Sequence, residues 1–301
     1  MKRTINVPLA QDCSTCIIDS LQKLIPLLSD DKHSQFELYS IAFKRLSKGF
    51  EEREEPAPLS IQLYRELYLA ANNMDPYSEI KLQSNEAARN ALPKIREIIN
   101  HMDGFERFHA ALASSVVGNV IDYNTAGHNP DLNELETLYE EITKQGFQID
   151  NSEDLWKKIT NNTGSLLFLA DNAGETYFDI PLLEIIKKHG WKIYYIVKGQ
   201  AMVNDATIDD VKGTEIESLA EIRTTGAWAH GTPIQWISDE FMELVRNSDL
   251  VISKGQANIE TFPEIQLHVE IDTYYILRGK CPHISRAIGA KKGDNIILRV
   301  P

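Results

Sequence analysis

Three short apolar runs in the second half of the chain each stop on a cluster of polar groups with a glycine close behind. Ser165-Leu166-Leu167-Phe168-Leu169-Ala170 leads into Asp171-Asn172-Ala173-Gly174-Glu175. Ile193-Tyr194-Tyr195-Ile196-Val197 leads into Lys198-Gly199, with Asn204-Asp205-Ala206-Thr207 just beyond. Leu250-Val251-Ile252-Ser253 leads into Lys254-Gly255-Gln256-Ala257-Asn258. Near-continuous apolar runs suit strands covered on both faces. The strand, helix, strand succession from about Leu166 suits a parallel three-layer α/β sheet. In such sheets the carboxyl ends of the strands share one edge, where ligands bind. Further strands are expected at residues 272–277 and, after the turn Lys292-Gly293, at 294–300.

Up to about residue 125 the spacing is helical. Ile17, Ile18, Leu21, Leu24, Ile25 and Leu28 recur at helical intervals, as do Phe36, Ile41, Phe43 and Leu46. The charged, proline-closed stretch Glu51-Glu52-Arg53-Glu54-Glu55-Pro56-Ala57-Pro58 reads as a solvated connector. Ser60 is expected to cap a helix carrying Ile61, Tyr64, Leu67, Tyr68 and Ala71. Asp75-Pro76-Tyr77 ends it, because the residue before a proline is pushed out of helical geometry. Helices follow at about 85–102, with Pro93 as a kink, and at 104–121. Residues 124–130 have turn composition, and a polar helix is expected at 131–144. The division expected is a helical part over 1–130 and an α/β domain carrying the site over 131–301.

The chain has 301 residues, 43% of them hydrophobic and 25% charged, enough for a sizeable core in a globular protein. Its net charge of −13, with no basic patch beyond Lys187-Lys188-His189 and Lys291-Lys292, argues against a nucleic-acid partner. No apolar run reaches the length of a membrane span, and the first residues lack a secretory h-region, so the expectation is cytoplasmic. Three cysteines are too few for a disulfide scaffold. Cys13-Ser14-Thr15-Cys16 has the spacing of a metal or redox pair, with Cys281 and the histidines as further ligands, or else supplies buried thiols on the first helix. His230 reads as a polar loop residue.

Two carboxylates and an amide near a lysine and helix-opening glycines suggest a divalent metal facing a phosphate. Asp171, Asn172 and Asp205 are hard oxygen donors of the kind that Mg²⁺, Mn²⁺ or Ca²⁺ takes. Each motif has a plainer explanation: Asp171-Asn172 and Asn204-Asp205-Ala206-Thr207 also compose well as helix starts, and Glu175 as a first-turn charge favoured by the helix dipole. Lys254 is placed to neutralise a phosphate, while the backbone N–H groups after Gly255 cradle its oxygens and Asn258 lies one helical turn on. Lys254 also reads as a surface lysine at a turn. Asn119 and Asp122 stand at i, i+3 on one helix face, either over the site or as a solvated stripe. Asp75-Pro76-Tyr77 with Lys81 and Asn85 is similar in character.

In combination these segments resemble the domain-of-unknown-function 89 family of metal-dependent damage-control phosphatases. With them go Asp75-Pro76-Tyr77, Gly118-Asn119-Val120-Ile121-Asp122 and Gly279-Lys280-Cys281-Pro282, and the pair Cys13 and Cys16 resembles the bacterial and archaeal subgroup. The likeness runs from Cys13 to about Asp294, with no motif matched over 131–160. It implies a Rossmann-like three-layer domain preceded by an all-helical N-terminal domain. It implies a divalent metal, such as Mg²⁺, Mn²⁺, Co²⁺ or Ni²⁺, on Asp171, Asn172 and Asp205, with Lys254 near the substrate phosphate and Glu175, Asn119, Asp122, Gly255 and Asn258 around it. The substrates implied are sugar phosphates and phosphopantetheine-type compounds, hydrolysed to clear damaged or surplus phosphometabolites.

The expected chemistry is hydrolysis of a small phosphomonoester, with Asp171 and Lys254 as catalytic groups and either a water or the Asp171 carboxylate as nucleophile. Two other functions compete with it. One is carboxyl methyl transfer from S-adenosylmethionine, for which the G-x-G-x-x-G loop after the first strand is missing. The other is metal-dependent metabolite binding without turnover.

Overall fold

Along the strand Ser165–Leu169, alternate residues enter two different cores. The computed structural model describes residues 5–120 and 132–301. Before the first strand come α1 (Cys13–Leu28), α2 (Lys32–Glu52), α3 (Pro56–Ala71), α4 (Ser78–Asn100), α5 (Gly104–Val120) and α6 (Leu132–Gln145). Then follow β1 (Ile149–Asp150), α7 (Ser152–Asn161), β2 (Ser165–Leu169), α8 (Glu175–Lys188), β3 (Lys192–Val197), α9 (Ile208–Val211), α10 (Ile216–Leu219) and β4 (Glu221–Thr224). The chain closes with α11 (Asp239–Arg246), β5 (Leu250–Lys254), α12 (Gln256–Gln266), β6 (Thr273–Arg278), α13 (Pro282–Ile288) and β7 (Asn295–Val300).

The strands make one seven-stranded sheet in the order β1-β7-β6-β5-β2-β3-β4. It is parallel except between β6 and β7, which run antiparallel. That pairing corrects the expectation of a wholly parallel sheet: after the short helix α13, the tight turn Lys291–Asp294 bonds back to Gly279, so β7 starts at the edge where β6 ends. Leu166, Phe168, Ile193, Tyr195, Leu250, Ile252 and Ile276 face a core shared with α4, α5, α7 and α8. Leu167, Leu169, Ile196, Val251, Tyr275 and Leu298 face a second core with α11, α12 and α13. Helices α1, α2 and α3 have a third cluster, closed by Met202, Ala227 and Ala229 from the loops after β3 and β4. The first five helices thus divide between the sheet face and the loop edge.

Beyond β2 the chain order runs outward on both sides, through β3 and β4 one way and β5 and β6 the other. The loops after β2 and β5 therefore part, opening a crevice at the carboxyl edge.

Three expectations about the helices need correction. The α4 helix starts at Ser78, not near residue 85. The α3 helix starts at Pro56, with Glu55 as its N-cap, so Ser60 lies inside it. Proline is well placed there, since its fixed φ suits the first helical turn and its missing N–H would have had no partner. The connector shrinks to residues 53–55 and is not merely solvated: both terminal guanidinium nitrogens of buried Arg45 donate to Glu54. The side chain of Asn119, the whole of Asp122 and the turn 124–130 lie outside the described residues.

Phe168 is fully buried, its ring stacked on Tyr195 with centroids 5.3 Å apart. Phe168→Ala is expected to cost about 3–5 kcal/mol of unfolding free energy. Urea denaturation checks this, and a loss below about 1 kcal/mol would place the ring outside the core.

Candidate active site

Asp171 and Asp205 come from different strand exits and are joined by a short backbone stitch. After β3 the chain runs out, turns, and returns so that Asn172 and Asp205 form an antiparallel bridge. The Ala206 N–H donates to Asp171 O at 2.9 Å, and the Ala173 N–H to Asn204 O at 2.9 Å. The turn passes through Val203 at φ 52°, a left-handed conformation that costs a β-branched residue of order 1–3 kcal/mol. Its N–H donates to the hydroxyl of buried Tyr68 on α3 at 3.1 Å, which pins the turn from the helical side.

The plainer explanations for these motifs can now be decided. The N-cap of α8 is Gly174, with no side-chain cap, so Asp171 and Asn172 do not cap it. Thr207 opens α9, its N–H and hydroxyl both donating to Asp210 at 2.8 Å, which leaves Asp205 outside the cap. Lys254 is fully buried, not a surface lysine.

Its ammonium lies 3.1 Å from Glu175 and 2.8 Å from Asp179. Asp179 also accepts from Ser115 at 2.6 Å and from Tyr195 at 2.7 Å. Burial alone would lower the Lys254 pKa, but Asp179 and Glu175 together raise it above the usual lysine range. Glu175 also accepts from Asn172 at 2.7 Å, so the network runs on to the β2 exit.

Lys198 has no role in the sequence analysis, although it directly follows β3 much as Lys254 closes β5. Its ammonium is buried, donates to Ala170 O and Asn258 Oδ1 at 3.3 Å each, and faces Asp205 at 3.6 Å. Asn258 itself donates to Ala170 O and Lys254 O. Asp179, also missed, is four residues beyond Glu175 and so shares its helix face.

From α4, Lys81 pairs with Asp75 at 2.7 Å and approaches Asp210 at 3.7 Å. Asn85 accepts from the Gly174 N–H at 2.6 Å and donates to Asp210. The segment around Asp75, Lys81 and Asn85 therefore reaches the rim of the site.

Four carboxylates, Asp171, Glu175, Asp179 and Asp205, are buried with two ammonium groups, Lys198 and Lys254. With all six ionised, two negative charges remain uncompensated, which a divalent cation would offset. Burial, then the charges of Glu175 and Asp205, push the Asp171 carboxyl up to about 8. Burial lifts Asp205 to about 6 against the opposing pull of Lys198. Asp205 Oδ2 is enclosed, with no hydrogen bond and only the Lys198 ammonium facing it at 3.6 Å.

Gly255, at φ 82°, lets the β5–α12 turn close on Asp171; a Cβ there would come within 1.9 Å of its Oδ2. Among the described residues, no three His, Cys, Asp or Glu side chains form a metal-ligand group. The candidate set is of another composition, two carboxylates and an amide, and its enclosed, under-bonded Asp205 oxygen and charge imbalance fit a hard divalent cation.

The chain matches the damage-control phosphatase ARMT1-like domain over residues 9–296. It belongs to that family. It is 32% identical over 289 residues to a protein of Pyrococcus horikoshii named as a damage-control phosphatase, covering 96% of each chain. A second protein of that name, from Archaeoglobus fulgidus, is 30% identical over 285 residues, 94% of this chain and 96% of its own. The crystal structure of a DUF89 family protein from Pyrococcus horikoshii superposes with a TM-score of 0.85 at 30% identity, covering 98% of this chain and 99% of that one.

The cysteines stand apart from this network. Cys13, Cys16 and Cys281 are free thiols. Cys13 is half-buried and Cys16 exposed, which corrects the expectation of buried thiols; partial desolvation still raises both, and Cys281 is close enough to add to the effect. Asp12 and His283 bond at 2.7 Å across the same region.

An aspartate in an unfolded chain titrates at about 3.9. Asp171 and Asp205 titrate higher in the fold, so their protonated forms favour folding, and that contribution disappears as pH rises to about 8. In chelator, thermal stability is expected to fall between about pH 4 and pH 8, and Asp171→Asn to flatten the fall. An equal slope in the variant would show that Asp171 is not the group responsible. Lys254→Met strands Glu175 and Asp179 and is expected to cost about 3–5 kcal/mol by urea denaturation; a neutral result would contradict the buried network.

Proposed function

We propose that the chain is a phosphomonoesterase that hydrolyses a small phosphorylated metabolite, such as a sugar phosphate, with the help of a divalent cation. The observation that carries this reading is the stitch that unites Asp171, Asn172 and Asp205 in a buried site with excess negative charge. Membership of the family, and relatives named as damage-control phosphatases, support the same reading and a role in clearing unwanted phosphometabolites.

Asp171, Asn172 and Asp205 would hold the cation, which can be Mg²⁺, Mn²⁺, Co²⁺ or Ni²⁺ and supplies Lewis acidity toward phosphoryl oxygens. The chain's own groups do the rest. Lys198 stands beside Asp205 to meet developing negative charge, whereas Lys254 reaches a phosphoryl oxygen only by loosening from Glu175 or Asp179. The N-termini of α8 and α12, at Glu175 and Gln256, lend partial positive charge at the β2 and β5 exits, with the Gly255 and Asn258 turn as the phosphate cradle. Asp171 either takes the proton of the attacking water or attacks phosphorus itself, expelling the alcohol and leaving an aspartyl-phosphate for water to cleave. Trapping with labelled phosphate separates the two.

We further read the protein as a Rossmann-like α/β domain over 131–301 with a helical domain over 1–130, working in the cytoplasm. Two apolar cores on opposite sheet faces support the layering. None of the described helices is long and apolar enough to cross a membrane. Methyl transfer has no comparable support, since the β2 exit reads Asp-Asn-Ala-Gly-Glu, without a glycine-rich cofactor loop, and its Asp171 and Glu175 carboxylates are buried.

Phosphate release from sugar phosphates, nucleotides and an aryl phosphate tests the proposal, using stripped protein with each metal added back. Metal-dependent release is expected, falling on the order of a hundredfold or more in Asp171→Asn and Asp205→Asn. Full activity in chelator, or in both variants at saturating metal, would defeat it.

A further inference from the structure

Lys280 stands just beyond the carboxyl end of β6, which lies beside β5 in the sheet as β5 lies beside β2. Its backbone is fixed on both sides. On one, the Gly279 N–H donates to Asp294 O at 2.9 Å, and Gly279 O accepts from the Gly293 N–H at 2.7 Å. On the other, the N–H groups of Lys280 and Cys281 both donate to Gln256 Oε1, at 3.1 and 2.8 Å. Gln256 is the first residue of α12 and follows Gly255, the residue that packs against the Asp171 carboxylate. A continuous path of bonded and touching groups therefore joins the Lys280 backbone to Asp171. The side chain of Lys280 is exposed and enters no ion pair among the described residues, and its charge favours the ionised form of Asp171.

A phosphomonoester brings about −1.5 to −2 charge at neutral pH. One divalent cation already balances the four buried carboxylates against Lys198 and Lys254, so the charge of the substrate still needs a partner. The buried lysines are poorly placed to supply it. Lys254 is held by Glu175 and Asp179. Lys198 is enclosed and bonded to Ala170 O and Asn258 Oδ1. Lys81, at the rim, is buried against Asp75. Lys280 is open to a ligand arriving from solvent, and it stands at the same edge as the N-terminus of α12. A flexible stem on a fixed backbone suits a lysine for point-charge contact with a phosphate.

We propose that the Lys280 ammonium binds the phosphoryl group of the substrate beside the Gly255–Gln256 turn, with Gln256 holding the lysine's backbone in place. This rests on the phosphomonoesterase reading. It supplies the accessible positive charge that the buried network lacks.

The experiment measures turnover of phenyl phosphate, and its inhibition by inorganic phosphate, at saturating Mn²⁺ in the wild-type protein, Lys280→Gln and Lys280→Glu. Both variants are expected to fold, because the side chain is exposed. In Lys280→Gln the KM and the inhibition constant of phosphate are expected to rise together, roughly tenfold or more, with kcat changing far less. Lys280→Glu, of nearly the same shape, is expected to lose more. Unchanged KM and phosphate inhibition in the folded variants, or equal losses in the two, would overturn the role of Lys280 while the phosphatase reading stands. A variant that needs a different Mn²⁺ concentration but keeps wild-type phosphate inhibition at saturating Mn²⁺ would also overturn it, since the lysine would then act on Asp171 alone. If the wild-type protein hydrolyses no phosphomonoester with any metal, the phosphatase reading falls and this inference with it.

Discussion

The arrangement of the site depends on a few backbone hydrogen bonds between the exits of β2 and β3. A strand end alone points a side chain outward and leaves it mobile; two strand ends bonded to each other hold their side chains at a set separation. The bonds from Ala206 to Asp171 and from Ala173 to Asn204 do this for Asp171, Asn172 and Asp205. The return turn that makes them possible is strained at Val203 and secured by Tyr68. Helix α3 thus contributes to the geometry of a site in which it places no carboxylate.

Burial then turns geometry into chemistry. Carboxylates gathered in a buried site resist ionisation unless cations offset them, and one of the two lysines beside them, Lys254, is committed to Glu175 and Asp179. Lys254 holds Glu175 and Asp179, and through Ser115 and Tyr195 that cluster ties α5 and α8 to β3. Lys198 is the ammonium nearer Asp205. One lysine stabilises the scaffold and the other faces the carboxylates, although both stand at strand exits. A divalent cation is the addition that would bring the buried charges into balance.

Much of this was legible in the amino-acid order, and the failures have physical causes. The apolar runs of β2, β3 and β5 and the polar groups at their ends stand out because strand burial on both faces suppresses alternation. The strand β1 has only two residues, and β4 is a half-buried edge strand, Glu-Ile-Arg-Thr, with no apolar run to signal it. The antiparallel direction of β7 is a property of the connection, not of its residues. Lys198 has no role in the sequence because burial of a polar residue is decided by distant segments, here Asp205 and Asn258. The helix α3 starts earlier than Ser60 because Pro56 suits its first turn.

The most direct measurement is an anomalous difference map from crystals of the protein soaked in Mn²⁺. A peak bonded by the carboxylates of Asp171 and Asp205 and the amide oxygen of Asn172 is the expected result. A map with no peak between these residues at saturating Mn²⁺ would contradict the view that the stitched strand exits form a cation site.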